Sequence, residues 1–157
     1  MRPLTITAVL VVLFFSGSVN LLAQGTAPGL GTWILDVAKS KYSPGPAPQS
    51  QTVKYEAAAN GVKRTIDGVD AKGQKTHTEV TLIEGKEVPV PNAPQPTTLT
   101  WRRIDDHTTE IVNRVNGKVM LTSRRVISAD GRTATVTQTG TNAQGQKVNN
   151  TMVQTKQ

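Results

Sequence analysis

Six pairs of residues that favour tight turns recur along the second two-thirds of the chain. Each pair ends in glycine: Asn60-Gly61, Lys72-Gly73, Glu84-Gly85, Asn116-Gly117, Asp130-Gly131 and Gln144-Gly145. The runs between them are rich in Thr and Val, which favour strands, and glycine adopts the backbone angles that hairpin turns require. The spacing therefore predicts successive antiparallel hairpins, and the one helical element we expect is a single short turn at residues 36–41.

Two proline-rich segments interrupt this pattern. Residues 42–48 contain three prolines and residues 89–96 contain four. Because proline cannot donate a hydrogen bond to a neighbouring strand, neither segment is expected to form a central strand. The first segment is predicted to be an ordered loop or an extended edge, and the second is predicted to divide the meander into two halves.

One eight-residue pattern occurs twice in the sequence. Residues 68–75 and residues 140–147 share the spacing of Gly, Asp or Asn, Ala, Gly, Gln and Lys. The repetition predicts two equivalent hairpins, which arise either from reuse of one favourable turn or from duplication of half a barrel. A calcium loop would need more acidic residues at alternate positions, so we expect a structural role for both turns.

The first 23 residues have the three parts of a secretory signal peptide. Arg2 precedes an apolar run from Ala8 to Phe15, and small residues lead to Ala23. The apolar run is shorter than the roughly 20 residues that cross a membrane. We therefore expect a signal peptide at 1–23, one domain at 24–157, export to the periplasm or the extracellular space, and no stable membrane insertion. The alternative is an uncleaved anchor.

Strand parity assigns side chains to the two faces of each predicted strand. Because successive residues point to opposite faces, the more apolar half of each run is expected in the interior. The inward set contains Trp33, Leu35, Val53, Tyr55, Ala57, Val62, Arg64, Ile66, Thr78, Val80, Leu82, Leu99, Trp101, Arg103, Ile111, Asn113, Val115, Val119, Leu121, Ser123, Arg125, Ile127, Ala134, Val136, Gln138, Val148, Asn150 and Met152. The outward set contains Lys54, Glu56, Lys63, Asp67, Glu79, Glu110, Arg114 and Arg124.

Three arginines fall on the apolar faces of three different strands. No Asp or Glu shares those faces with Arg64, Arg103 and Arg125, and a buried guanidinium without a partner is unfavourable by several kcal/mol. One hypothesis is a cavity in which they bind a carboxylate or phosphate while apolar side chains hold a tail. The other members of this candidate site are Tyr55, Trp101, Asn113 and Ser123.

Other arrangements of these arginines are also consistent with the sequence. One arginine could stack on the ring of Trp33, which would give it a structural role. Long side chains could also extend to the rim of the barrel, and a bulge could reverse the parity and place the guanidinium groups in solvent.

The chain has few residues of the usual catalytic kinds. It has no Cys, and its two histidines are His77, predicted on an outer face, and His107, predicted in a polar turn. No nucleophile elbow, phosphate-binding loop or dinucleotide motif occurs. We therefore expect no enzymatic activity, no cofactor and no metal ion, with a small-molecule hydrolase as the remote alternative.

The formal net charge of +7 raises the question of anionic partners. The basic residues are scattered singly or in pairs among Thr and Val, with few aromatic residues between them. Nucleic-acid binding typically requires clustered basic residues with stacking side chains, so no nucleic-acid partner is expected.

The segment Gly31-Thr32-Trp33 begins the first predicted strand and places a large aromatic side chain at one end of the sheet. It resembles the first-strand motif of the lipocalin and fatty-acid-binding protein superfamily. With Ala38-Lys39-Ser40-Lys41-Tyr42-Ser43-Pro44-Gly45-Pro46, the chain resembles small secreted bacterial proteins that have a lipocalin-like domain and no established activity. The resemblance implies that Gly31 and Trp33 plug one end of a barrel, and that interior Arg and Tyr hold a ligand anion.

The patterns predict an all-β fold, a single antiparallel meander barrel of roughly eight to ten strands. The favoured function is non-enzymatic binding of a small amphipathic or anionic ligand inside the barrel. The alternative is a barrel with a filled core that acts through its outer surface as a structural or interaction module of the cell envelope. The scarcity of aromatic residues favours that alternative, because apolar ligand pockets are usually rich in them.

Overall fold

Ten antiparallel strands form the part of the chain described by the computed structural model, residues 27–157. The predicted signal peptide at 1–23 lies outside the described residues. The strands are β1 (Gly31–Lys41), β2 (Ser50–Ala58), β3 (Gly61–Val69), β4 (Lys75–Leu82), β5 (Glu87–Pro89), β6 (Thr97–Arg103), β7 (Thr108–Val115), β8 (Lys118–Ile127), β9 (Thr133–Thr141) and β10 (Lys147–Lys156). Each strand pairs with the next one in sequence except β4 with β5, and β1 also pairs with β10.

This connectivity gives one sheet in the order β4-β3-β2-β1-β10-β9-β8-β7-β6-β5. The sheet curves into a nearly closed barrel, which confirms the predicted all-β meander. Within residues 27–157, no helix has the length and apolar character needed to cross a membrane.

The barrel has a seam between β4 and β5. The segment that connects β4 to β5 makes one isolated bridge to β6, between Glu84 and Trp101, where the amide of Gly85 donates a 2.9 Å hydrogen bond to the carbonyl of Trp101. Elsewhere side chains close the seam, because Val80 and Leu82 from β4 form a buried cluster with Leu99 and Trp101 from β6. The predicted division of the meander at the proline segment 89–96 is wrong, because this segment connects β5 to β6, which pair with each other, and the sheet is interrupted before it, between β4 and β5.

The two segments that share a sequence pattern form the same turn. In the β3–β4 turn the carboxylate of Asp70 accepts hydrogen bonds from the amides of Lys72 and Gln74, at 2.8 and 2.9 Å. In the β9–β10 turn the side-chain oxygen of Asn142 accepts them from the amides of Gln144 and Gln146, at 3.0 and 2.9 Å. The predicted equivalence of the two hairpins therefore extends to individual hydrogen bonds.

Glycine begins each of these repeated segments because a neighbouring backbone comes too close for a side chain. A Cβ atom at Gly68 would lie 2.5 Å from the carbonyl oxygen of Ser50. A Cβ atom at Gly140 would lie 2.0 Å from the carbonyl oxygen of Met120, and Gly140 also has a φ of +143°. Larger residues are therefore excluded at both positions.

Three local expectations are wrong. The register of β7 and β8 shifts between Asn113 and Arg114, so one extra residue in β8 turns Val119 outward, where it is 50% exposed. Ala57 is exposed because it lies one residue from the end of β2, beyond the packed interior. Residues 36–41 continue β1 through a register shift instead of forming a helical turn.

The outward set forms a charged outer surface. The ammonium of Lys63 lies 3.4 Å from a carboxylate oxygen of Glu56 and 3.6 Å from one of Glu79. His77 is exposed as predicted, and its Nδ1 lies 2.7 Å from a carboxylate oxygen of Asp67. These contacts join side chains of neighbouring strands on the solvent-facing side of the sheet. The residues of opposite parity face the interior.

Candidate functional site

Arg125 lies at the centre of the candidate site. It projects inward from β8 and is only 6% exposed. Its guanidinium carbon lies 4.3 Å from the ring centroid of Trp33 and 4.6 Å from that of Tyr55, which are cation–π distances. The stacking on Trp33 that the sequence left open as an alternative is therefore present, and Trp33 itself is fully buried at the barrel end where β1 begins.

Stacking leaves the edge of this guanidinium without hydrogen-bond partners. Aromatic rings cover the faces of the group, whereas its N–H bonds lie in its plane. Nε and Nη2 of Arg125 are buried and have no hydrogen-bond partner in the structure. Burial lowers the pKa of Arg125 below its usual value, and the nearby Tyr55 hydroxyl only partly opposes this shift. A hydrogen-bond acceptor in the plane of the guanidinium would give these two nitrogens the partner that they lack.

A cavity of about 430 Å³ opens beside Arg125 at the end of the barrel where β1 begins. We call it the mouth cavity. Its lining comes from the segment that precedes β1, the β6–β7 turn and the adjoining strand ends: Ala27, Pro28, Gly29, Leu30, Tyr55, Val62, Trp101, Arg103, Asp105, Asp106, His107, Thr109, Arg125 and Ile127. Its volume lies in the range that holds small ligands.

A second cavity of about 130 Å³ lies deeper in the barrel and is called the inner cavity. It shares Tyr55, Trp101, Thr109 and Arg125 with the mouth cavity, so these four residues line both spaces. The remainder of its lining is Gln51, Val53, Arg64, Ile66, Ile111, Ser123, Val136, Gln138, Met152 and Gln154. None of these residues is acidic.

The structure brings five of the seven predicted ligand-site residues to the inner cavity. They are Arg64, Tyr55, Trp101, Ser123 and Arg125. Arg64 is half-buried, and its Nε is buried without a hydrogen-bond partner. Ser123 Oγ accepts a 3.2 Å hydrogen bond from the side-chain amide of Gln138.

The other two residues are placed differently from the prediction. Arg103 has the expected parity but is exposed, because it is the last residue of β6 and lies beyond the interior, at the mouth cavity. Asn113 is half-buried and lines neither of the two cavities. Parity assigns a side chain to one face of its strand. It does not indicate how far along the barrel axis that side chain lies.

Sequence reasoning missed Gln154 and underrated His107. Gln154 is 3% exposed, and its Oε1 has no hydrogen-bond partner. It has the same parity as Met152, so extending the inward set of β10 by two residues would have found it. His107 is half-buried at the mouth cavity, although a solvent-exposed turn was predicted. Hydrogen bonds from the backbone amide of His107 and from Thr108 lower the pKa of Asp105 in the same turn.

The segment before β1 forms one wall of the mouth cavity and is held in place by polar contacts. The indole nitrogen of Trp33 donates a 3.3 Å hydrogen bond to the carbonyl of Gly29. The ammonium of Lys156 donates to the carbonyl of Pro28 at 3.2 Å and lies 5.4 Å from the Trp33 ring centroid. Trp33 therefore also positions this wall of the mouth cavity.

The described residues contain no cluster of three or more His, Cys, Asp or Glu side chains suited to a metal ion. The available chemistry consists of two arginines with unpaired N–H groups, a tyrosine, neutral amides and hydroxyls, and aromatic and aliphatic walls. Such a set suits recognition of a group that accepts hydrogen bonds.

The fold is similar to solved structures of the fluorescent protein UnaG. The wild-type crystal structure aligns with a TM-score of 0.53 and 15% identity, covering 82% of this chain and 97% of that one. A point mutant of the same protein aligns with a TM-score of 0.52 and 16% identity, covering 83% and 96%. No protein-family model matches this chain, and no curated protein matches it. At these identities the likeness shows the fold, a barrel of the lipocalin and fatty-acid-binding protein type.

Proposed function

We propose that this protein is a non-enzymatic carrier that holds one small amphipathic anion inside its barrel, with the anionic group at Arg125. The observation that carries the proposal is the state of Arg125. It is buried and stacked on two aromatic rings, and two of its nitrogens lack partners beside the inner cavity. A ligand oxygen would give those nitrogens a charge-assisted hydrogen bond.

The charges around the site support an anion over a cation or a neutral group. Arg64 and Arg125 line the inner cavity, whereas Asp105 and Asp106, the acids that line the mouth cavity, do not line the inner one. A carboxylate or phosphate between the two arginines would neutralise positive charge that has no acidic partner among the residues lining the inner cavity. A barrel of about this size has room for one small ligand.

The experiment compares three ligands with the same ten-carbon tail and different headgroups: decanoate, decyl phosphate and the uncharged decanol. Both tryptophans of the chain, Trp33 and Trp101, lie at the site, so binding is followed by tryptophan fluorescence and by calorimetry. We expect the two anions to bind at least tenfold more tightly than decanol. This factor corresponds to the lower end of about 1.5–3 kcal/mol for a hydrogen bond to a charged group.

Arg125→Met should reduce the affinity for both anions to that for decanol. Arg124→Met is the matched control, because Arg124 is the exposed neighbour of Arg125 on the same strand and carries the same charge. The control should bind decanoate as the wild type does. If none of the three ligands binds the wild type, the alternative of a filled barrel that acts through its outer surface would replace this proposal.

We also propose that the protein is exported and acts outside the cytoplasm. This proposal is supported by the basic residue, apolar run and small residues within 1–23, which have the order of a signal peptide. N-terminal sequencing of the protein recovered from its own host should give a chain that begins close to residue 24. An intact N terminus on protein from the cytoplasm would contradict export.

A further inference from the structure

We propose that the inner cavity recognises an anionic group that also donates a hydrogen bond, such as a carboxylate with a hydroxyl on the neighbouring carbon, and that Oε1 of Gln154 accepts that bond. This inference rests on the proposed function and adds the chemical class of the headgroup. It follows from the buried polar atoms that line the inner cavity and from what each of them can donate or accept.

The unpartnered polar atoms of the interior are concentrated at the inner cavity. In residues 27–157, six buried side-chain nitrogen or oxygen atoms lack a hydrogen-bond partner, and four of them belong to residues that line this cavity. Three are donors, Nε of Arg64 and Nε and Nη2 of Arg125, and the fourth is an acceptor, Oε1 of Gln154. Because a buried polar atom without a partner is unfavourable, the cavity favours a ligand group that pairs with both kinds of atom.

A chain of hydrogen bonds fixes two more polar residues of the cavity, Gln138 and Ser123. The backbone amide of Ser43 donates to Oδ1 of Asn150 at 2.9 Å, and Nδ2 of Asn150 donates to Oε1 of Gln138 at 3.0 Å. Nε2 of Gln138 in turn donates to Oγ of Ser123 at 3.2 Å. The oxygen of Gln138 is therefore occupied, and the hydroxyl hydrogen of Ser123 is free to donate. These two residues add donors to the cavity.

Gln154 differs because its neighbours on the adjacent strands cannot pair with its amide. It lies in β10 directly opposite Leu35 of β1 and Ala134 of β9, and both neighbours are buried and apolar. Neither side chain can donate a hydrogen bond, and Gln154 is only 3% exposed. The inner cavity, which Gln154 lines, is therefore the place from which a donor can reach Oε1.

The volume of the inner cavity limits the group that can meet these atoms. At about 130 Å³ it has room for about four water molecules of about 30 Å³ each, which is close to the size of a carboxylate and one neighbouring hydroxyl. A plain carboxylate only accepts hydrogen bonds, so it can pair with the arginines but leaves Oε1 of Gln154 without a donor. A 2-hydroxycarboxylate supplies both acceptors and a donor within one small group.

The test compares three acids with the same ten-carbon chain: decanoate, 2-hydroxydecanoate and 2-methoxydecanoate. The methoxy compound keeps the additional oxygen but has no hydrogen to donate. Calorimetry with the wild type should give an affinity for the tighter-binding enantiomer of 2-hydroxydecanoate about tenfold higher than for either of the other two acids. The reason is that only this ligand gives the buried oxygen of Gln154 a hydrogen bond.

Gln154→Met removes the acceptor and keeps a side chain of similar length. It should bring the affinity for 2-hydroxydecanoate to within twofold of that for decanoate, while it changes the affinity for decanoate less than threefold. Asn113→Leu is the matched control, because it also replaces a half-buried or buried amide by an apolar side chain of similar size, and Asn113 lines neither of the two cavities. This control should keep the tenfold preference.

The outcomes distinguish this inference from the proposed function. If the wild type binds decanoate as tightly as 2-hydroxydecanoate, or binds the methoxy acid as tightly as the hydroxy acid, the inference is overturned and the carrier function stands. The same holds if Gln154→Met keeps the tenfold preference, and Gln154→Leu decides this point if circular dichroism shows that Gln154→Met does not fold. If none of the three acids binds the wild type, both proposals fail.

Discussion

The recognition role that we propose for Arg125 is compatible with a structural role, because the two roles use different parts of one guanidinium. Its faces contact Trp33 and Tyr55, which joins β8 to β1 and β2 across the interior. Its edge carries the N–H groups that lack partners. Arg125 also lines both the mouth cavity and the inner cavity.

The stability of Arg125 variants separates these roles. We expect Arg125→Met to unfold at the same or a higher urea concentration than the wild type. Loss of a cation–π contact of about 2 kcal/mol is offset because a desolvated charge is removed. Arg125→Ala should be less stable than Arg125→Met by about 2 kcal/mol or more, since it leaves a cavity. A methionine variant as unstable as the alanine variant would show that the stacked charge itself stabilises the fold.

At the scale of strands and turns, the sequence predicts features that repeat locally and misses features that depend on closure of the barrel. Asp70 and Asn142 could be matched from spacing alone, because each side chain bonds backbone amides only two and four residues ahead. The bulge that exposes Val119 leaves no local mark, since it depends on the register with β7. The inner and mouth cavities combine residues of many strands, so alternation identified the inward arginines but neither the depth of Arg103 nor the missed Gln154.

The matched turns give a prediction at this scale. Asn142→Ala removes the acceptor of two backbone hydrogen bonds and should lower the free energy of unfolding by about 1–2 kcal/mol. Asn142→Asp keeps an oxygen at the same position and reproduces the Asp70 turn, so it should stay within about 0.5 kcal/mol of the wild type. Urea denaturation at neutral pH measures the free energy of unfolding of both variants and of the wild type. Equal losses in the two variants would mean that the side-chain oxygen does not hold the turn.

For the whole molecule, the way the barrel closes decides which strands separate most readily. The strands β1, β9 and β10 each have a paired strand on both sides, whereas β4 and β5 lie at the two ends of the sheet. At the seam the backbone of the β4–β5 connection makes one isolated bridge to β6, and the side chains of Val80, Leu82, Leu99 and Trp101 form a buried cluster. Trp101 also lines both cavities, so the packing at the seam supports the candidate site.

Amide hydrogen exchange should therefore be fastest among the strands in β4 and β5 and slowest in β1, β9 and β10, because local opening needs fewest backbone hydrogen bonds to break at the seam. Val80→Ala removes packing from the seam cluster and should speed exchange in β4 while leaving β9 and β10 unchanged. Val136→Ala is the matched control, since Val136 is also buried but lies in β9, away from the seam, and it should not affect β4 selectively. If β4 in the wild type exchanged as slowly as β10, the barrel would be closed by backbone pairing along its whole length, and the seam would not be its weakest line.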